Sequence, residues 1–240
     1  MTGRQKNRFN CDFRDNEDLP VIDFLEANYN QDEVKMLEVG SGLCRFLHKV
    51  KRLYPKIDII GVEINPDLVN LAIDKGFRVI NQDFLKNSFL SDSFDIVHCS
   101  HIIEHFKYPE ITFVIDELLR VTKKNGICII RSPLMWDNFY YDIDHVRPYP
   151  PESIIGYLNN SQQQKKGTNT VTIEKIWYRT GAIQIKIKED KSRVIVLKIL
   201  QILVDKFVTV INEILQYSWN LYRYPCTKPN GYVMILRKTE

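Results

Sequence analysis

The hydrophobic positions of this chain fall into short continuous runs that alternate with segments of helical spacing. The runs, which are rich in Val, Ile and Cys, predict β-strands at 35–39, 57–64, 77–83, 94–100 and 127–132. Between them, apolar residues recur three or four positions apart, which predicts helices at 44–53, 66–75 and 111–122. Strands that are apolar throughout are typical of a parallel sheet covered on both faces. The pattern therefore predicts a doubly wound, mostly parallel α/β domain.

The pattern changes after Pro133. Residues 134–151, dense in Trp, Tyr, Asp, His, Arg and Pro, predict a loop. A short helix, an exposed loop at 162–168, a strand, a long apolar helix and a last strand are predicted to follow, the last three at 171–178, 193–222 and 231–238. A further short helix is predicted at 19–29, after a polar and loose start over residues 1–18. One domain over residues 1–240 accounts for this order of elements.

The long helix is apolar almost all round. Its stretch 194–222 is interrupted by Lys198, Asp205, Lys206 and Glu213, which break it too often for a membrane span. We expect a helix this apolar to bury most of its surface by packing within the chain. The alternatives are a homodimer through 194–222 and peripheral contact with a membrane.

Composition excludes some classes of function. The net charge of +3 is close to balanced, and the basic pairs are scattered, which argues against nucleic acid as a partner. None of the five cysteines forms a C-x-x-C pair, so neither a zinc site nor a redox pair is expected. Free cysteines and a polar start without an apolar signal region favour the cytoplasm.

Acidic residues lie where three successive strands end. Glu38 precedes the turn Gly40-Ser41-Gly42, Glu63 ends the second strand, and Asp83 ends the third. In a doubly wound sheet, ligands bind beyond the carboxyl ends of the strands. The glycines let a ligand approach the backbone, Glu63 suits a ribose diol, and Asp83 suits an adenine amino group. Glu38 supplies negative charge near a cationic group.

The remaining members of the predicted site are Ser41, Ile64, Phe84 and Ser100. Ile64 or Phe84 is expected to pack on the adenine ring, while Ser41 belongs to the glycine turn and Ser100 ends the fourth strand. A dinucleotide site would need a third glycine where Arg45 stands. A nucleoside that carries a positive charge and no phosphate fits these residues better.

The chain resembles the class I S-adenosylmethionine-dependent methyltransferases of the small-molecule type. The resemblance covers roughly residues 34–160 and rests on five motifs in order, which are 38-EVGSGLC-44, 61-GVEI-64, 81-NQDF-84, 94-FDIVHCSHIIEHF-106 and 118-LLRVTKKNGICIIRSP-133. It implies S-adenosylmethionine as cofactor and a Rossmann-like seven-stranded sheet with an antiparallel last strand. It also implies in-line transfer of a methyl group to an O, N or C nucleophile of a small molecule. Cys44 departs from the family, which usually has a third glycine there.

We expect three parts within the domain. Residues 1–33 are an N-terminal extension with a cap helix, residues 34–133 are the cofactor-binding core, and residues 134–240 hold an acceptor loop, the long helix and the closing strand. The segment 142-DIDHVRPYPPES-153 looks like the loop that the family places over the methyl acceptor. His145 is a candidate general base, and Arg147 is a candidate for holding a carboxylate or phosphate. Alternatively, both residues only pin the loop by pairing with Asp142, Asp144 or Glu104.

Two further groups of residues have competing interpretations. His101, Glu104 and His105 have helical spacing, and without a further supporting motif they predict no metal site. A structural or loop-anchoring role is expected for them, and a catalytic role is the alternative. An aromatic cluster near the same loop either packs a lid or lines an acceptor pocket; its members are Trp136, Phe139, Tyr140, Tyr141 and Tyr149.

Three other functions compete with small-molecule methylation. A nucleic-acid methyltransferase would need a basic face and a motif such as N-P-P-Y, which the sequence lacks. A nicotinamide-dependent oxidoreductase is disfavoured by Arg45. A non-catalytic module of the same fold, which binds the cofactor or has lost it, is the remaining alternative.

Overall fold

The structure is a computed structural model that describes residues 17–29, 34–136, 138–159, 170–180, 194–222 and 229–239. Its strands are β1 (Val34–Val39), β2 (Ile57–Glu63), β3 (Val79–Asn81), β4 (Phe94–Ser100), β5 (Thr122–Pro133), β6 (Val171–Thr180) and β7 (Pro229–Lys238). Its α-helices are α1 (Asp18–Tyr29), α2 (Arg45–Leu53), α3 (Pro66–Asp74), α4 (Glu110–Val121), α5 (Pro151–Leu158) and α6 (Val194–Tyr222). Within these described residues, short 3₁₀ helices span Phe84–Lys86, Ile103–His105 and Phe139–Tyr141.

The seven strands form one sheet in the order β3-β2-β1-β4-β5-β7-β6. Strands β1 to β5 pair in parallel, whereas β7 runs antiparallel to both β5 and β6. Neighbouring residues of β1 pack into different hydrophobic clusters, Met36 into one and Leu37 into the other. Alternate side chains of a strand point to opposite faces, so the sheet is covered on both sides. The predicted seven-stranded, Rossmann-like α/β fold with an antiparallel last strand is confirmed.

Local signals explain where helix α3 begins. Asn65 caps α3, because its side chain accepts a hydrogen bond from the Asp67 N–H at 2.9 Å, and Pro66 then occupies the first helical position. The strand predicted at 127–132 begins five residues earlier, because β5 starts at Thr122 directly after α4. Its pairing with β4 jumps from Phe94–Thr122 to Ile96–Ile127, so a bulge takes up the intervening residues.

Charged groups hold helix α1 against the sheet. Glu17 is 1% exposed and Asp18 is 7% exposed. Arg131 of β5 donates to the Asp18 carboxylate at 2.6 Å and to that of Glu17 at 3.2 Å. The expectation of a loose start over residues 1–18 is therefore wrong for its last two residues, and residues 1–16 lie outside the described part of the chain. The predicted exposed loop at 162–168 also lies outside it.

Helix α6 occupies the predicted place before the last strand. Among its described side chains, Val208 and Asn212 are buried, but most of the large apolar ones are exposed. The exposed ones are Ile199, Leu200, Ile202, Leu203, Phe207, Val210 and Ile214. The expectation that this helix buries most of its surface is wrong for these residues, because its packing is largely limited to β6. No helix among the described residues is long and apolar enough to cross a membrane.

Candidate active site

The glycine turn follows β1 and is tied to the end of β2. The N–H groups of Gly40 and Ser41 both donate to the Val62 carbonyl, at 2.8 and 3.1 Å. Gly40 has a φ of +69°, and a Cβ at this position would lie 2.2 Å from Cδ1 of Ile102. Gly42 has a φ of +48°, and no described atom lies within 4 Å of where its Cβ would be. The turn therefore presents an open stretch of backbone at Gly42.

Glu63 connects the glycine turn to the start of α3. Its carboxylate accepts the Gly42 N–H at 2.8 Å on Oε2 and the Asn65 N–H at 3.0 Å on Oε1. The side chain is only 8% exposed, but a carboxylate has about four acceptor positions, so about two remain for a ligand. Glu63 thus holds the turn in place and keeps the capacity to accept ligand hydroxyls.

Asp83 lies beyond the end of β3, beside the same edge. One of its oxygens caps the 3₁₀ helix Phe84–Lys86 by accepting the Leu85 N–H at 3.0 Å. The other lies 3.5 Å from Nζ of Lys86, and 34% of the side chain is exposed. Of the two residues expected to pack on an adenine ring, Ile64 is 67% exposed, whereas Phe84 is buried in the hydrophobic core. Phe84 is therefore committed to the core, and Ile64 is the accessible apolar side chain.

Glu38 is paired inside the protein. Its Oε2 lies 2.6 Å from Nδ1 of His98, Glu38 is 4% exposed, and His98 is fully buried. The ring of Phe46 lies against the imidazole, with centroids 4.1 Å apart. Glu38 is therefore paired with a histidine, and its role in giving the site negative charge near a cationic group stays a prediction. His98 lies opposite Glu38 in the β1–β4 register. The sequence alone does not give this pairing, because the two residues belong to different strands.

Three further positions complete this edge of the sheet. Ser41 is buried, and its Oγ has no hydrogen-bond partner within the described residues. Ser100 is half-buried as the last residue of β4. Cys44, at the place of the family's third glycine, has a φ of 60° and precedes α2. The backbone therefore takes the left-handed conformation there although the residue carries a side chain.

The loop between β5 and α5 is anchored on Glu104, which is completely buried. The Glu104 carbonyl accepts the N–H groups of Val146 and Arg147 at 2.9 and 3.2 Å. Nδ1 of His145 lies 2.7 Å from the Phe139 carbonyl. Nε2 of the same ring is 3.8 Å from the Asp142 carboxylate and 4.0 Å from that of Glu104. His145 thus lies inside this network.

Arg147 has a different environment. Its side chain is exposed, and the guanidinium carbon lies 5.6 Å from the centre of the Tyr149 ring. Tyr149 and Phe139 are buried, while Trp136, Tyr140 and Tyr141 are exposed. Two members of the predicted aromatic cluster therefore pack inside the protein, and the other three lie on its surface.

His101 connects this region to α1. Its Nε2 lies 2.9 Å from the Glu17 carboxylate, and its Nδ1 lies 3.3 Å from that of Glu104. Partial burial opposes the charge on His101, but the two carboxylates outweigh it and raise its pKa to about 9. Burial likewise opposes the charge on Glu17, but His101, Arg179 and Arg131 lower the pKa of Glu17 to about 2. Sequence reasoning missed Glu17, because no local pattern marks a contact over such a separation.

Comparison with known proteins relates part of this chain to a known domain family. Residues 37–130 match the family model described as a methyltransferase domain. A curated relative, the malonyl-[acyl-carrier protein] O-methyltransferase of Legionella pneumophila, is 30% identical over 110 residues. That match covers 44% of this chain and 38% of the relative.

Solved structures share the fold over most of the chain. A S-adenosylmethionine-dependent methyltransferase from Archaeoglobus fulgidus has a TM-score of 0.58 and 24% identity, over 94% of this chain and 96% of that one. Phosphoethanolamine N-methyltransferase 2 of Haemonchus contortus, solved with S-adenosylmethionine, has a TM-score of 0.58 and 13% identity. That likeness covers 93% of this chain and 53% of the other.

The residues at this edge of the sheet fit S-adenosylmethionine. The space beside Gly42 would be filled by the Cβ of any other residue. Glu63 and Asp83 supply hydrogen-bond acceptors for a nucleoside, and acids of this kind suit a cofactor that carries a sulfonium and no phosphate. Residues 37–130 thus match a methyltransferase domain, and most of the chain has the fold of the S-adenosylmethionine-dependent methyltransferases.

Proposed function

We propose that this protein transfers a methyl group from S-adenosylmethionine to an O, N or C nucleophile of a small molecule held by the loop 134–151, which we call the acceptor loop. The observation that carries the proposal is the anchoring of this loop on Glu104. The 3₁₀ helix that contains Glu104 directly follows Ile102, whose side chain fills the space against Gly40. The acceptor loop and the glycine turn therefore lie on either side of one short segment.

The cofactor supplies an electrophilic methyl group when it is bound. The contribution of this chain is chiefly to position the two reactants. Gly42, Glu63 and Asp83 would hold the nucleoside, with Ile64 against its base. Holding two reactants in line can account for about 7–11 kcal/mol of a barrier, so no strongly basic side chain is required.

The acceptor loop offers two groups for chemistry. A carbonyl oxygen can only accept a hydrogen bond, so the 2.7 Å contact with the Phe139 carbonyl places the proton of a neutral His145 on Nδ1. The lone pair on Nε2 is then available to accept a proton from a hydroxyl or an amine. Arg147 is exposed and can hold a carboxylate or a phosphate through two hydrogen bonds.

Exposed apolar side chains on the acceptor loop favour an acceptor with an apolar or sugar-like part. Besides the aromatic residues, Met135 is 54% exposed and Ile143 is 95% exposed. A glycan, a lipid precursor and a secondary metabolite all remain candidates. The relative named as a malonyl-[acyl-carrier protein] O-methyltransferase favours an acceptor that carries a carboxylate as the first to test.

The experiment follows a labelled methyl group from S-adenosylmethionine to acceptors that differ only in charge, such as a fatty acid and the matching alcohol. We expect Arg147→Ala to lower kcat/KM for the acid by about 10-fold or more, since a charge-assisted hydrogen bond contributes about 1.5–3 kcal/mol. The exposed Arg52→Ala is the matched control and should leave both rates unchanged. Binding of S-adenosylhomocysteine without transfer to any acceptor would instead favour a non-catalytic module.

Helix α6 supports a second, separate proposal about partners. Its exposed apolar side chains, such as Ile202 and Phe207, suit either a second copy of this chain or a lipid surface. Light scattering over a range of concentrations tests the homodimer, and co-sedimentation with anionic vesicles tests membrane contact. The double variant Ile202→Ser with Phe207→Ser should abolish whichever association is found. A wild-type protein that stays monomeric and leaves the vesicles unbound would contradict both.

A further inference from the structure

Two histidines and one glutamate converge beneath the acceptor loop. Glu104 and His105 come from the 3₁₀ helix after β4, and His145 comes from the acceptor loop itself. Each residue offers one ligand atom, and these three atoms lie within 4.8 Å of one another. The spacing of His101, Glu104 and His105 alone predicts no metal site, because only the folded loop brings in His145.

Both imidazoles are oriented by main-chain carbonyls. Nδ1 of His105 lies 3.0 Å from the Asp144 carbonyl, and Nδ1 of His145 lies 2.7 Å from that of Phe139. Because a carbonyl can only accept, each neutral ring carries its proton on Nδ1 and keeps a lone pair on Nε2. A metal-binding histidine typically donates its other ring N–H to a carbonyl or a carboxylate in this way.

One oxygen of the glutamate receives no hydrogen bond and lies near His145. Oε2 of Glu104 accepts the Ser132 hydroxyl at 3.1 Å, whereas Oε1 is buried and receives no hydrogen bond from any described residue. Oε1 lies 3.3 Å from Nδ1 of His101 and 4.0 Å from Nε2 of His145, which are ion-pair separations. Ion pairs alone compensate the burial of this oxygen, and a metal ion at the same place would be bound by it directly.

We infer that Glu104, His105 and His145 bind a divalent transition-metal ion. Two imidazole nitrogens and one carboxylate oxygen form a ligand set typical of zinc and of iron(II), with coordination positions left open. Tetrahedral ligands at zinc distances are about 3.3 Å apart, so the three side chains must draw together by up to about 1.5 Å around the ion. Asp142, whose carboxylate lies 3.8 Å from Nε2 of His145, is the nearest further acid on the loop.

The ion would change the role of His145. A metal and a proton compete for the lone pair on Nε2, so in the metal-loaded protein His145 is a ligand and no longer a base. An acceptor hydroxyl bound to the ion would then lose its proton more easily. This consequence for the acceptor rests on the proposed function, whereas the metal site itself does not.

A metal titration tests the inference without cofactor or acceptor. The full chain is stripped of metal with a chelator and then titrated with Zn²⁺ and, separately, with Co²⁺. The visible absorption of bound Co²⁺ reports the type and number of its ligands. We expect one tightly bound equivalent for the wild type, and binding weaker by at least about 10-fold for His105→Ala and for His145→Gln. His48→Ala, at an exposed histidine outside the cluster, is the matched control and should bind like the wild type.

X-ray absorption at the zinc edge of the wild type needs no variant and should show nitrogen and oxygen ligands at about 2.0–2.2 Å. No stoichiometric binding, cysteine sulfur in the first coordination shell, or equal affinities of the His145→Gln and His48→Ala variants would overturn the inference. Since the titration uses neither S-adenosylmethionine nor an acceptor, its failure would leave the proposed methyl transfer untouched.

Discussion

Replacing Glu63 perturbs both the glycine turn and the predicted ribose contact. Its carboxylate accepts two main-chain N–H groups, from Gly42 and Asn65, at a position that is only 8% exposed. A hydrogen bond to a charged group contributes about 1.5–3 kcal/mol. Glu63→Gln keeps one acceptor oxygen, so we expect it to lower the free energy of unfolding by about 2 kcal/mol. Glu63→Ala loses both hydrogen bonds and should lower it by about 3–4 kcal/mol, measured by urea denaturation.

The same substitution should weaken cofactor binding by more than the loss of stability explains. A ribose diol that donates two hydrogen bonds to a carboxylate should gain about 3 kcal/mol from them, which is about 100-fold in Kd. Calorimetric titration with S-adenosylhomocysteine, well below the melting temperature of each variant, measures the loss of binding free energy separately from the loss of stability. Asp74→Asn, at an exposed acid, is the control and should bind like the wild type. A folded Glu63→Ala that binds within threefold of the wild type would refute the assignment.

Three further predictions concern the turn, the buried ions and the acceptor loop. Gly40→Ala should destabilise the protein by at least about 2 kcal/mol more than Gly76→Ala in chemical denaturation, because both have a positive φ but only the Cβ at position 40 meets Ile102. Glu17→Gln should lower the free energy of unfolding at neutral pH by about 3 kcal/mol, since it breaks a buried ion network. The pKa of Glu17 is lowered from 4.5 to about 2; its contribution is therefore present above pH 4.5 and is lost as the pH falls towards 2, a loss that the variant should not show. Arg147→Ala should leave the free energy of unfolding within about 0.5 kcal/mol of the wild type, since the side chain is exposed; a larger loss would mean that Arg147 supports the loop.

Local pattern was enough to predict the sheet and the edge at which the candidate site residues lie. The parallel strands follow from continuous apolar runs, and the turn at Gly40 and the acid at Glu63 follow from where those runs end. The pairing of Glu38 with His98 was missed, because it depends on the register between two strands far apart in the chain. A one-residue change in register would have placed His98 on the other face of the sheet.

The acceptor side was less predictable for a related reason. His145 meets Glu104 only because the acceptor loop folds back onto the segment after β4, and no periodic pattern encodes that return. For helix α6, the sequence predicted burial that the structure does not show. Its apolar character predicts burial, but the sequence of one chain does not say whether the covering surface belongs to that chain, and most of its described apolar side chains are exposed.

The central claim is that the turn around Gly42 and the acid Glu63 bind S-adenosylmethionine. Thermal melting of the wild-type chain with S-adenosylhomocysteine, and in parallel with NAD, tests it most directly. A ligand at about 100 times its Kd adds about 2.7 kcal/mol of stability, which is a rise in Tm of about 5–10 °C for a chain of this size. The account predicts this rise with S-adenosylhomocysteine and none with NAD. An unchanged Tm with S-adenosylhomocysteine, or a rise with NAD alone, would contradict it.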